Sequence, residues 1–388
     1  MLFLQLLYLL ASLFTAALCL ISHIPAPATL SHKNRTAWSI LGSLITEFPQ
    51  IFLVVKLLII KAAWSAQVLD GRLGGWLYRV DVGVILAIWG FFLQGYFARF
   101  VVEEQTKCYR VADSHDPPEF FTIAYFLRLL NPFWTARNVM VHPDIVYATD
   151  EELKAAGPAS ESMMSLDVHI HPSYPRKRPV LIYVHGGFWQ SGDKTVIPPF
   201  VSYLALKRWV VVSVNHRTSP HAQYPEHVRD VKRAIRWVRA NIERYGGDPS
   251  FIAVSGSGSG GHIASVVAMS ANDPFYQPGF EDVDTEVHAC VAINALFDLT
   301  NSRRMWKVRL AEWFAKRVAG AGEKGVAGVD ELLKSSSPLL MLKALEADKR
   351  KSGAPAAVPE EKEGEQVVDK SLPAPFKSAA NLVPFLVF

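Results

Sequence analysis

Two glycine-rich segments, each directly after an apolar run typical of a strand, are where this chain of 388 residues could do chemistry. The first, at 185–189, reads His-Gly-Gly-Phe-Trp, and the second, at 255–261, contains only serine and glycine. Adjacent glycines let the backbone turn sharply, so that its N–H groups face a neighbouring loop. Donors at Gly186 and Gly187 could hold the oxyanion of a tetrahedral intermediate in acyl transfer, although an ordinary tight turn has the same pattern.

The serines of the second segment are candidate nucleophiles. A nucleophile on a strained strand-to-helix turn needs small residues two positions away on either side, because the neighbouring backbone comes very close. Ser259 has Ser257 and Gly261 at these positions, whereas Ser257 has a serine two positions away on both sides. A phosphate-binding loop is the competing interpretation, but the segment has neither a Gly-Lys-Ser/Thr ending nor a Rossmann-type acidic residue at the right distance.

The elements around these segments alternate between strands and helices. Strand-like runs at 180–184, 210–214, 251–254 and 289–293 are separated by helical stretches at 199–206 and 226–244. In the longer helix the apolar residues recur every three or four positions, which gives one core-facing stripe: Val228, Val231, Ile235, Val238 and Ile242. This alternation predicts an α/β domain with a mostly parallel sheet covered by helices on both faces.

The first hundred residues are far more apolar than the remainder. Residues 1–22 carry no charged side chain and are long enough to cross a bilayer, and the lack of a basic start favours an uncleaved anchor over a signal peptide. The stretch 82–98 is rich in aromatic residues and predicts a second spanning helix. Between them, 38–64 is interrupted by charges that include Lys56 and Lys61, so it could span with snorkelling lysines or lie in the interface. We expect two or three spans; the alternative is buried helices of a large soluble domain.

These patterns divide the chain into a membrane region at 1–102, a connector at 103–165 and an α/β domain at 166–388, with a charged, disordered insertion at about 346–375. A net charge of +4 without a basic cluster argues against a nucleic-acid partner. The three cysteines, Cys19, Cys108 and Cys290, lie far apart and support neither a disulfide framework nor a zinc site.

The residues at 181–189 (Leu-Ile-Tyr-Val-His-Gly-Gly-Phe-Trp), together with Gly-Asp-Lys at 192–194, Asn-His-Arg at 215–217, Tyr-Gly-Gly-Asp-Pro at 245–249 and Gly-Gly-His at 260–262, resemble an α/β-hydrolase. The resemblance covers about residues 166–300 and is strongest to the carboxylesterase/lipase branch with a His-Gly-Gly oxyanion motif, which includes bacterial lipases and arylacetamide-deacetylase-like enzymes. It implies a serine esterase with a Ser–Asp–His triad, hydrophobic ester substrates, no metal and no organic cofactor.

The chain departs from the family pattern at the nucleophile. Alignment on Gly260, Gly261 and His262 places Gly258 in the serine position. We expect Ser259 to substitute only if the strand is one residue longer and the helix begins one residue later. The N–H groups of Gly260 and of the loop at 186–188 would then bind the oxyanion.

The acid and the histidine of a triad are a second departure. In the family the acid follows the next-to-last strand and the histidine the last one, and the run 383–388 resembles the next-to-last strand, so we expect a C-terminally incomplete domain. The two histidines after the turn, His262 and His288, do not occupy the triad position, and we predict that His262 is a packing residue. Asp298 is predicted to be a helix cap or turn residue.

The sequence therefore predicts a membrane-anchored serine carboxylesterase or lipase-like hydrolase of the endomembrane (endoplasmic reticulum) or plasma membrane. Its expected partners are a hydrophobic acyl ester and the lipid bilayer, with catalysis impaired by Gly258. Two alternatives remain open. One is a catalytically inactive pseudo-hydrolase that serves as a binding protein, and the other is an arylformamidase-like or prenylcysteine-methylesterase-like hydrolase.

Overall fold

The computed structural model describes residues 2–24, 38, 41–42, 44–46, 48–106, 138–157, 160–173, 177–300, 313–320, 329–351 and 385–387. They belong to two compact units, Met1–Trp134 and Thr135–Phe388. Most of the predicted insertion at 346–375 lies outside the described residues.

The described part of the N-terminal unit contains three long helices: α1 (Leu2–His23), α2 (Pro49–Ser65) and α3 (Gly71–Thr106). Pro49 occupies the first turn of α2, where a missing N–H group leaves no hydrogen bond unmade. Two segments, Phe3–His23 and Gly71–Gln94, are long and apolar enough to cross a membrane. The helices predicted at 1–22 and 82–98 are therefore present, whereas membrane crossing itself remains a prediction.

The second unit is built on a mixed sheet of seven strands: β1 (Met140–Val146), β2 (Ser165–Ile170), β3 (Arg178–Val184), β4 (Val210–Val214), β5 (Gly247–Ser257), β6 (Ala289–Ile293) and β7 (Phe385–Val387). Their order across the sheet is β1-β2-β4-β3-β5-β6-β7. The pairs β1–β2 and β2–β4 are antiparallel, and every other pair is parallel. This agrees with the mostly parallel sheet predicted from the sequence.

The α-helices in the described part of this unit are α4 (Asp150–Ala156), α5 (Ser160–Met163), α6 (Pro199–Leu206), α7 (Glu226–Asn241), α8 (Ser259–Met269), α9 (Val329–Ser335) and α10 (Pro338–Lys351). The apolar stripe predicted on α7 is fully buried. The helix ends at Asn241 rather than at 244, because a 3-10 turn (Ile242–Tyr245) follows and Gly246 adopts a left-handed φ of 79°.

The sheet also begins earlier than the predicted domain start at 166. Strand β1 pairs with β2 across a register shift between His142 and Ile145, so residues of the predicted connector at 103–165 are part of the sheet. Pro143 and Asp144, which has a φ of 57°, lie inside this irregularity. They break the alternating pattern by which an edge strand is recognised in a sequence.

Candidate active site

The two glycine-rich segments lie side by side, because they follow neighbouring parallel strands. In the pairing of β3 with β5, Val184 is opposite Gly256, so both chains leave the sheet at the same edge. A Cβ atom added to Gly186 would lie only 2.7 Å from the carbonyl oxygen of Ser257. The predicted proximity of the two loops is therefore confirmed.

Close backbone contact also explains the small residues of the second segment. A Cβ atom on Gly260 would lie 2.2 Å from the carbonyl oxygen of Val184 and 2.4 Å from that of His185. A Cβ atom on Gly256 would lie 2.4 Å from the backbone of Gly260. The first turn of α8 thus packs directly on the loop after β3. We call Gly186, Gly187, Gly258 and Gly260 the glycine cradle.

Gly258 is the apex of the turn between strand and helix. Strand β5 ends at Ser257, α8 begins at Ser259, and Gly258 has φ 56° and ψ −118°. A side chain disfavours this conformation, which is typical of strained functional turns. The N–H of Gly258 donates to the carbonyl of Ile293 at 2.9 Å, and its own carbonyl accepts from the N–H of His262 at 3.1 Å. The structure therefore places a residue without a nucleophilic group where the strained turn projects.

Space for a side chain is nevertheless present at the apex. A Cβ atom on Gly258 would meet no atom of the described residues within 4 Å. The glycine at this position is therefore not imposed by its neighbours, in contrast to Gly256 and Gly260.

Ser259 lies one residue past the apex, as the first residue of α8. Its side chain is 6% exposed, and its Oγ is buried without a hydrogen-bond partner among the described residues. The structure does not show the longer strand and later helix start on which a replacement of the missing serine by Ser259 depends.

His262 packs behind the cradle, as predicted. Its ring is fully buried, lies edge-on to the Trp189 ring with centroids 5.1 Å apart, and has Nε2 2.8 Å from the carbonyl oxygen of Ser336. Burial lowers the pKa of His262 to about 4, so the imidazole is neutral near pH 7.

The other two residues considered from sequence have structural roles. His288 comes just before the start of β6, at the opposite end of the sheet from Gly258, and stacks on Phe251. Asp298 accepts hydrogen bonds from the backbone N–H and the hydroxyl of Thr300, at 3.0 and 2.5 Å, which confirms the predicted turn role.

A stack of buried histidines supports the first loop, and the sequence did not reveal it. The rings of His185 and His216 are nearly parallel, with centroids 4.6 Å apart, and His227 contacts His216 edge-on. Burial, with the neighbouring imidazoles, holds the pKa of His216 well below its usual value, and burial lowers that of His227 to about 3. These rings are neutral packing groups. The segment 215–217 was the only sequence signal for them.

Asn215 explains why two of the quoted motifs occur together. Its Oδ1 accepts the backbone N–H of Lys194 at 2.6 Å, and its Nδ2 donates to Asp193 at 3.2 Å. The loop that follows β4 thereby fixes the segment 192–194 beside the cradle. Within the described part of the chain, no group of three or more His, Cys, Asp or Glu side chains is arranged to hold a metal ion.

Part of this unit is similar to known proteins. The BD-FAE family model matches residues 166–346. Esterase LipQ of Mycobacterium tuberculosis is 42% identical over 167 residues, which are 42% of this chain and 38% of LipQ. Arylacetamide deacetylase of Bos taurus is 38% identical over 98 residues, 23% of this chain and 24% of that protein. A solved structure described as a truncated form of carbohydrate esterase from gut microbiota aligns with a TM-score of 0.44 at 21% identity, covering 53% of this chain and 74% of that one.

The matches thus include less than two fifths of the length of each of these two relatives. The family match at 166–346 includes β3, β5 and the two loops that form the glycine cradle. The family match and these relatives support an α/β-hydrolase of the carboxylesterase type for residues 166–346.

Proposed function

We propose that this protein is a membrane-anchored member of the carboxylesterase family that binds hydrophobic acyl esters in the glycine cradle and in which covalent catalysis is impaired. The relatives named esterase support the ester as ligand. The apolar segments of α1 and α3, which are long enough to cross a bilayer, support the membrane anchor.

One observation carries the proposed impairment: Gly258, not a serine, lies at the apex of the strained turn. A covalent acyl-enzyme needs a side-chain nucleophile at the site of attack. The cradle also offers the backbone N–H groups of Gly186, Gly187 and Gly260, and the N–H groups in the first turn of a helix such as α8 have no acceptor within the helix. Such donors bind a polarised carbonyl oxygen, so recognition of the ester does not require the serine.

A serine esterase that uses Ser259 is the second candidate. The observation in its favour is that the Oγ of Ser259 has no hydrogen-bond partner among the described residues, so the hydroxyl is not committed to another structural contact. Its burial and its position inside α8 favour the first candidate.

A fluorophosphonate probe separates the two candidates. The purified full-length protein in detergent is incubated with the probe, and labelling is compared with that of Ser259→Ala. We expect no covalent labelling of either protein. Labelling of the wild type that is lost in Ser259→Ala would establish Ser259 as the nucleophile and refute the first proposal.

Ester recognition is tested separately with a long-chain alkyl ketone, which presents the carbonyl of an ester but cannot be hydrolysed. We expect calorimetry to detect binding to the wild type and at least tenfold weaker binding to Gly186→Ala, because the added Cβ would lie 2.7 Å from the carbonyl oxygen of Ser257. Gly279→Ala is the control, since a Cβ there meets no atom within 4 Å among the residues the structure describes and the residue is outside the cradle. Equal affinity for all three proteins would refute the cradle as the binding site.

A further inference from the structure

The N-terminal unit contains a buried ion pair that no function described so far uses. Lys56 on α2 and Asp81 on α3 are 1% and 0% exposed, and Nζ of Lys56 is 2.7 Å from Oδ1 of Asp81. Helix α1 contributes two further partners: Tyr8 donates its hydroxyl to Asp81, and Ser12 accepts from Nζ of Lys56 at 2.9 Å. All three helices therefore contact one hydrogen-bonded ion pair.

The orientation of α2 is the reverse of that of a helix lying in a membrane interface. An interfacial helix turns its charged side chains towards water and its apolar face towards the acyl chains. On α2 the central lysine faces the neighbouring helices, while the outward positions are apolar: Val54, Val55, Leu57 and Leu58 are 47, 48, 49 and 60% exposed. The outward surfaces of α1 and α3 are apolar as well, as at Leu10, Phe14 and Leu86.

The depth of the ion pair agrees with a hairpin that crosses a bilayer. Lys56 lies ten residues before Ala66, and Asp81 lies ten residues after Gly71, on either side of the short connection between α2 and α3. At about 1.5 Å per residue, both charges are about 15 Å from this connection. That distance is half of the roughly 30 Å thickness of the hydrocarbon core. An ionisable residue at this depth is tolerated when it faces the helix bundle and is paired.

We propose that α2 is a third membrane crossing, held against α1 and α3 by the Lys56–Asp81 pair, so that lipid acyl chains cover the outward surfaces of all three helices. This inference rests on the membrane anchorage proposed above. Lys61, which is exposed and close to the end of α2, reaches the headgroups on the side of the connection.

Cysteine accessibility tests the number of crossings. In a background in which Cys19, Cys108 and Cys290 are replaced by alanine, single cysteines are introduced as Ile24→Cys, after α1, and Asp70→Cys, before α3. Sealed vesicles containing the full chain are treated with a membrane-impermeant maleimide before and after permeabilisation. With three crossings, one position reacts before permeabilisation and the other only afterwards.

The other outcomes are distinct. If both positions become reactive together in a membrane-bound protein, α2 does not cross and this inference is wrong, whereas the anchorage stands. If alkaline carbonate releases the chain from the vesicles, the anchorage itself is refuted.

The ion pair is tested by neutralising its members singly and together. We expect Lys56→Met and Asp81→Asn each to lower the monodisperse fraction in detergent at least fivefold, because each leaves a buried charge without its partner. The double variant should recover most of the loss, and Lys61→Met, at an exposed lysine of the same helix, should behave as the wild type. Losses in the double variant equal to the sum of the single losses would refute the pairing.

Discussion

A serine introduced at the apex of the strand-to-helix turn should be tolerated, whereas a serine two residues later should not. Gly258→Ser adds a side chain where a Cβ meets none of the described atoms within 4 Å, so its cost is backbone strain at φ 56°. Such strain is of order 1–3 kcal/mol. In a domain of this size each kcal/mol lowers the unfolding temperature by roughly 2–4 °C, so we expect a loss of about 2–12 °C.

Gly260→Ser introduces a collision rather than strain. Its Cβ would lie 2.2 Å from the carbonyl oxygen of Val184, more than 1 Å closer than an ordinary van der Waals contact of 3.4 Å. Because this neighbour is backbone inside the sheet, it cannot rotate away. We expect a loss above about 4 kcal/mol, which is among the largest effects of single substitutions.

The assay follows hydrogen–deuterium exchange of the β5 amides in the full-length protein as the temperature is raised, which reports on this unit alone. Gly279→Ser is the control, because it adds a serine at φ 83° in open space outside the cradle. We expect the unfolding temperature of Gly258→Ser to match that of Gly279→Ser within a few degrees and that of Gly260→Ser to be far lower. If Gly258→Ser and Gly260→Ser lower the unfolding temperature equally, a side chain at position 258 does not have the space inferred here. If Gly260→Ser is as stable as Gly279→Ser, the two loops do not pack as closely as described.

Three further predictions concern buried groups around the cradle and α7. Burial lowers the pKa of Lys232 from 10.5 to about 8, so the unfolded chain binds this proton more tightly than the folded chain. The free energy of unfolding of the wild type, measured with urea, should therefore rise by up to about 3 kcal/mol relative to that of Lys232→Met between pH 8 and pH 10.5. Burial lowers the pKa of His262 from 6.5 to about 4, so the free energy of unfolding should fall by up to about 3 kcal/mol as the pH drops from 6.5 to 4. In His262→Phe this contribution to the pH dependence of unfolding should be missing. Asp230 is fully buried and accepts from Arg217 at 2.8 Å and from Arg233 at 2.7 Å, so Asp230→Ala should cost about 3–5 kcal/mol in urea unfolding; a loss below about 1 kcal/mol would show that neither arginine depends on it.

Much of the sheet was predictable because its central strands are continuous apolar runs. The runs at 210–214 and 289–293 coincide with β4 and β6, and the helix at 199–206 coincides with α6. Strand β5 extends to Ser257, beyond the predicted end at 254, because its serine and glycine residues are held by pairing with β3 and β6 rather than by their own preference for strands.

The proximity of the two loops followed from parallel neighbouring strands, but the position of the apex did not. The pairing of Ser257 with Ile293 and the hydrogen bond from Gly258 to Ile293 decide which residue ends the strand. That choice depends on the partner strand, and a shift of one residue would have exchanged Gly258 and Ser259. The stack of His185 on His216 could not be predicted from the sequence either, because it joins loops that follow two different strands.

The glycine and serine content of the turn has a packing origin that is independent of catalysis. Cβ atoms on Gly256, Gly260 and Gly261 would approach backbone atoms within 2.2–2.8 Å, so these positions must be small for the turn to form at all. Gly258 is different, because no atom in the described part of the chain lies close to its Cβ position and its positive φ is what opposes a side chain. Glycine there removes about 1–3 kcal/mol of strain that a serine would impose. The turn therefore keeps the shape of a nucleophile elbow with glycine at its apex, and this glycine stabilises the turn at the position where the proposed impairment places the missing nucleophile.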